Sequence, residues 1–128
     1  METGKVIVRL KDGTVIKGKT NDFFPNKPRF HLSTEDGDMD EYDVEELKAV
    51  FFVKDYEGDP SHQYDYSDTV PGGGRKIRVV FADGEEMVGH TQGYSPDRSG
   101  FFLTPADLSG NNKKVFVVLS ATTEVQYL

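Results

Sequence analysis

The sequence contains no cysteine, which excludes disulfides and thiolate metal sites and fits a reducing compartment. It has no apolar run near the roughly twenty residues that cross a bilayer. Its first residues, METGKVIVRLKDG, lack the basic, then apolar, then small order of a secretory signal. A cytoplasmic protein without a membrane partner is the expectation. No sustained helical period occurs either, so the class is mainly β. Positive charge is short: 15 Lys and Arg stand against 22 Asp and Glu, a net of −7. That balance disfavours nonspecific attraction to nucleic-acid phosphates or an anionic membrane. The acids crowd between Glu35 and Asp68, where Lys48 and Lys54 are the only bases, which leaves room for a mildly basic patch elsewhere.

What the chain does have is a repeat. Lys5 to Leu32 aligns without a gap with Lys76 to Leu103, 71 residues later, with Val8/Val79, Asp12/Asp83, Gly13/Gly84, Gly18/Gly89, Thr20/Thr91, Pro25/Pro96, Phe30/Phe101 and Leu32/Leu103 identical. Most of these positions are ones where backbone geometry or packing limits the choice. Each unit opens with alternating residues, as in Val6, Val8 and Leu10 or Ile77, Val79 and Phe81, which predicts a first strand. Asp12-Gly13 and Asp83-Gly84 then predict a tight hairpin turn, and Gly18 and Gly89 predict a bend within the second strand. A proline loop follows, TNDFFPNKPRFHL in one copy and TQGYSPDRSGFFL in the other. Each copy should close with a fourth strand, a brief turn and a fifth strand, in YDVEELKAVFFV and VFVVLSATTEVQYL, with DVEEL open to a single helical turn. The expected fold is therefore all-β, two tandem small antiparallel β-barrels related by internal duplication. Residues 1–56 form the first, 57–75 an acidic, Gly-rich linker hinged near Gly72 to Gly74, and 76–128 the second.

Val6 to Leu32 resembles the first half of the Sm-like motif of bent five-stranded barrels, whose parts SH3-like barrels share. The likeness lies in the alternating first strand, the Asp-Gly turn, the bending glycine and an aromatic five residues after it, Phe23 or Tyr94. Sm-like proteins typically grip RNA with an Asp just after that aromatic and an Asn a few residues on. This chain has Phe24 and Ser95 at the first place, and Pro28 and Ser99 near the second, so the RNA-gripping residues of that motif are not matched here. The whole pattern, with LKAVFFVKDYEGD, is also similar to an uncharacterised family of short bacterial domains, some attached to signalling proteins, which implies a regulatory setting and no chemistry.

No catalytic or cofactor motif is complete in the sequence. Asp36, Asp38 and Asp40 alternate like the first ligands of an EF-hand, but Glu41 stands where its glycine belongs and Leu47 where its glutamate belongs. The segment reads as a solvated acidic hairpin tip. His31, His62 and His90 show no ligand spacing, no serine sits in a Gly-x-Ser-x-Gly elbow, and PGGGRK lacks the spacing of a phosphate-binding loop. The expectation is a non-enzyme without a cofactor.

Two constellations remain. The paired aromatics Phe51-Phe52 and Phe101-Phe102 place neighbours on opposite strand faces, so one of each pair needs a second surface: the sister barrel, a second copy in a homodimer, or another protein. The leading expectation is thus an adaptor or regulatory module that binds a protein partner through barrel edges and exposed aromatics. The other constellation is the pair of proline loops, with Phe23, Phe24, Lys27 and Arg29 in one copy and Tyr94 and Arg98 in the other. Aromatics beside bases can stack on a nucleobase and pair with phosphate, so RNA or nucleotide binding is the alternative. Against it, Phe23 and Tyr94 could cap their own cores.

Overall fold

The computed structural model describes residues 4–128. Ten strands follow in order: β1 (Gly4–Leu10), β2 (Val15–Thr20), β3 (Arg29–Thr34), β4 (Met39–Asp43), β5 (Leu47–Val53), β6 (Arg75–Phe81), β7 (Glu86–Thr91), β8 (Gly100–Pro105), β9 (Asn112–Val118) and β10 (Thr122–Tyr127). Single 3₁₀ turns, Val44–Glu46 and Leu119–Ala121, stand between the fourth and fifth strands of each half. No helix among the described residues is long and apolar enough to cross a membrane.

All ten strands join one antiparallel sheet in the order β10-β6-β7-β8-β9-β5-β1-β2-β3-β4. The sheet is not closed into a barrel, which corrects the expectation of two closed barrels. The physical reason lies in β5 and β9. Every residue of β5 is buried, and a strand apolar on both faces is best satisfied between two cores. β5 pairs with β1 on one side and with β9 on the other, in a register that includes Ala49↔Val117 and Phe51↔Val115.

The two halves follow one plan. β1, β2 and β3 begin and end 71 residues before β6, β7 and β8. In both hairpins an aspartate carboxylate accepts the backbone N–H two residues on, Asp12 from Thr14 (2.9 Å) and Asp83 from Glu85 (3.0 Å). Gly13 and Gly84 supply the positive φ of those turns, 95° and 93°. Gly18 and Gly89 let β3 and β8 approach β2 and β7 closely, because a Cβ there would lie 2.3 Å from the Ser33 oxygen or 2.2 Å from the Thr104 oxygen.

Burial forms two cores that exchange residues. The first gathers Val6, Val8, Phe23, Phe30, Leu32 and Phe52 with Phe116 and Val118 from β9. The second gathers Ile77, Val79, Phe81, Phe101 and Leu103 with Ala49, Phe51 and Val53 from β5. The second surface that the paired aromatics need is thus the other half of the same chain. Phe51, Phe52 and Phe101 are buried, and Phe102 packs against Phe52 and Phe116. The exposed aromatics that were to hold a partner are consumed internally. Lys48 of β5 adds a polar stitch, its ammonium 2.6 Å from both Asp83 and Glu85 and over the ring of Phe81.

The outer strands differ from the junction strands. Where β9 has Phe116 and Val118, β4 has Glu41 and Asp43; where β5 has Ala49 and Phe51, β10 has Glu124 and Gln126. Charged and polar residues on free edges oppose strand addition. A second copy joined as β9 joins β5 would bury these groups.

The segment between the halves has no strand but is tied down. Asn111 accepts the Asp55 N–H (3.1 Å) and donates to the Asp55 oxygen (2.9 Å), and the Tyr56 hydroxyl donates to the Gly18 oxygen (2.8 Å). Beneath it Asp107 is buried. Burial pushes its pKa up, but hydrogen bonds with His62 (2.8 Å), the Asp65 N–H and the Ser109 hydroxyl outweigh that and hold it at about 2. With a folded pKa below the unfolded one, this carboxylate contributes stability above about pH 4 that is lost as the pH falls through about 2. Asp107→Asn is expected to cost about 2 kcal/mol at pH 7 and to flatten the acid limb of the stability profile. Superimposable urea midpoints for the two proteins from pH 7 to pH 3 would contradict this.

Candidate binding groove

The two proline loops, residues 21–28 and 92–99, leave β2 and β7 at equivalent points and make the same turn. The Lys27 N–H donates to the Phe24 oxygen (3.0 Å) and the Arg98 N–H to the Ser95 oxygen (3.2 Å). Because the halves lie side by side, the loops meet. Lys27 and Arg98, one from each half, line a single cavity of about 630 Å³ with Pro25, Asn26, Glu45 and Ser99. A neighbouring cavity of about 530 Å³ shares Pro25 and Arg98 and is lined further on by Tyr94, Phe101 and Phe102.

The six residues expected to bind separate into groups. Lys27, Arg98 and Tyr94 come together at these two cavities. Phe24 is 36% exposed with the Lys27 ammonium 4.7 Å from its ring centre. Phe23 is fully buried, edge-on to Phe30 at 5.1 Å and Phe116 at 5.0 Å, and caps the first core. Tyr94 serves the second core in the same way, packed against Phe101 and Tyr127. Arg29 sits on β3, where its guanidinium bonds Asp43 at 2.6 Å, and that hydrogen bond and charge raise its pKa further.

Three contributors carried no signal in the sequence. His90, Gln92 and the Gly72-Gly73 backbone line the second cavity, and the Gln92 amide donates to the Gly72 oxygen. The His90 Nδ1 is buried without a hydrogen-bond partner, a cost that a bound group could relieve. His90 aligns with Lys19, so the repeat gave it no meaning, and Gly72-Gly73 read as a hinge.

The arrangement offers cations, amide donors and an aromatic wall, without the order a nucleophile needs. Among the described residues two hydroxyl, carboxylate and imidazole sets occur, Thr20 with Asp22 and His31, and Ser109 with Asp107 and His62. In both the carboxylate is central, whereas activation of a hydroxyl requires the imidazole in the middle. Both serve to fasten loops. Among the described residues no three His, Asp or Glu side chains gather as metal ligands.

Fold and groove together define an all-β protein with one open antiparallel sheet and a cleft between two like loops. A model for a family of unknown function (DUF6982) matches residues 2–128, and the chain belongs to that family. No curated protein and no solved structure matches it.

Proposed function

We propose that the chain is a non-enzymatic adaptor or regulatory module of the bacterial cytoplasm that binds a protein partner, seating a segment with acidic side chains between the two proline loops. The observation that carries this reading is the convergence of Lys27 and Arg98 on one cavity beside the exposed Phe24. An apolar ring next to paired cations suits an extended segment that presents one large apolar side chain and one or two carboxylates. Within this reading the protein arose by duplication of one five-stranded, Sm-like unit, the two copies fused edge to edge. Support comes from the shared strand bounds and from equal pairing registers, Val6↔Phe52 in one half and Ile77↔Tyr127 in the other.

A nucleotide or RNA in the same loops is the less favoured alternative. It needs aromatic faces free for stacking, and Phe23 and Tyr94 are turned into the cores. The test is Phe24→Ala combined with Arg98→Glu. Both side chains lie at the surface of the loops, so the melting temperature should stay within about 2 °C of the parent. Affinity for an acidic-aromatic peptide selected on the parent protein should fall at least about tenfold. Unchanged affinity in this double variant would remove the groove from the function.

A further inference from the structure

The outward face of the first hairpin carries charge of one sign. Val6 and Val8 are buried, so alternation turns Lys5, Ile7 and Arg9 outward along β1, and Val15, Lys17 and Lys19 share that face on β2. Lys5 lies directly opposite Lys19 in the register, a like-charge pair that destabilises a sheet when nothing neutralises it. Among the described residues no carboxylate lies within ion-pair distance of Lys5, Arg9, Lys17 or Lys19. The corresponding face of the second hairpin has Lys76, Arg78, Val80, Glu86, Val88 and His90, with Arg78 bonded to Glu86 at 2.8 Å. The second hairpin thus pairs one of its bases, Arg78, which also reaches Glu124 at 3.4 Å, whereas among the described residues none of these four bases of the first hairpin has an ion pair. Internal contacts offset this charge only in part: Lys5 lies over the Tyr56 ring (5.6 Å), Arg9 lies over the Phe51 ring (5.6 Å) and its charge helps to lower the pKa of Asp83, which leaves Lys17 and Lys19 for an external partner.

Over this face lies a cleft of about 480 Å³, lined by both halves and by the connecting segment. Arg9 and Lys17 line it from the sheet, and Tyr56, Tyr64 and Tyr66 line it from the connector. Tyr64 is 47% exposed and stacks on Tyr66, with ring centres 5.7 Å apart and planes 15° apart. Three acids also line the cleft. Glu85 is held by Lys48, Asp59 accepts the Ser61 N–H and hydroxyl, and Glu57 is exposed. The overall charge of −7 does not decide the field here, since exposed charges are screened beyond about 8 Å at physiological salt.

We propose that this cleft is a second binding site, distinct from the loop groove, and that it takes a nucleotide. Arg9 and Lys17 hold the phosphates, Lys5 and Lys19 add attraction from the same face, and the base packs on the exposed ring of Tyr64. The volume suits a small molecule, and cations facing flat rings match an anionic group joined to a planar one.

The test uses the full chain with purine nucleoside diphosphates, triphosphates and cyclic dinucleotides, by thermal shift and calorimetry. At least one nucleotide is expected to raise the melting temperature. Lys17→Ala, an exposed change with no ion pair to lose among the described residues, should weaken binding about tenfold, and Tyr64→Ala about as much. Arg98→Glu, in the loop groove, should bind nucleotide as the parent does, which separates failure of this site from failure of that one. No binding by any nucleotide at low salt would overturn the proposal. So would pyrophosphate binding as tightly as the nucleotides, since the base would then contribute nothing. Binding of oligouridylate where every nucleotide fails would also overturn it, by making the face a single-strand surface.

Discussion

Phe116→Ala is expected to lower the unfolding free energy by about 3–5 kcal/mol, the usual cost of removing a fully buried aromatic ring. Phe116 belongs to β9 of the second half, yet its ring lies in the core of the first, 5.0 Å from Phe23 and 5.2 Å from Phe102. The loss should appear equally in both halves, because β5 and β9 each supply residues to both cores. Urea unfolding followed at amides of β1 and of β6 should give one shared, lowered midpoint. A variant in which only the first half loosened would mean that the halves are separate units in contact.

Gly89→Val is expected to cost about 3 kcal/mol or more and to release β8 from β7. A Cβ at this position would stand 2.2 Å from the Thr104 oxygen and 2.7 Å from the Leu103 side chain. No rotamer relieves a backbone collision, so β8 must withdraw and its two ladder positions, Gly89↔Pro105 and His90↔Thr104, part. Gly93→Ala serves as control: nothing lies within 4 Å of its added Cβ, and a change within about 0.5 kcal/mol is expected. Thermal unfolding of the two variants beside the parent checks both. Equal melting temperatures for Gly89→Val and the parent would remove the close pairing of β8 with β7 from the fold.

Much of the local architecture was legible because it is specified locally. Asp12-Gly13 and Asp83-Gly84 mark hairpin turns through side-chain and φ requirements that need no partner, and Gly18 and Gly89 stood out as mid-strand glycines at what prove to be points of close backbone approach. The two-faced character of Phe51-Phe52 was legible as well, since alternation alone puts neighbours on opposite sides. What alternation does not encode is which surface receives the second ring. The pairing of β5 with β9 joins residues far apart in the chain, so closed barrels were as consistent with the pattern as one open sheet.

The site shows the same division. Lys27 and Arg98 stood out as bases beside aromatics, and the aligned loops carried them to one cavity. Phe23 and Phe24 were indistinguishable in sequence, and only packing sends the first inward and leaves the second at the surface. The basic face of the first hairpin was written in plain alternation at Lys5, Arg9, Lys17 and Lys19. Its significance depends on the Lys5↔Lys19 register and on the connector folding over it, neither of which composition reveals. The connector read as a hinge because Gly, Pro and Asp are common in it, while the bonds that tie it to Asn111 and Asp107 come from a distant loop.

The most direct measurement is a nuclear Overhauser spectrum of the isotope-labelled chain, read across the junction of the halves. Cross-strand contacts between Ala49 and Val117 and between Phe51 and Val115 are the predicted result, with the β5 amides protected from exchange. Contacts confined to each half, with β5 exchanging as a free edge, would contradict the single ten-stranded sheet.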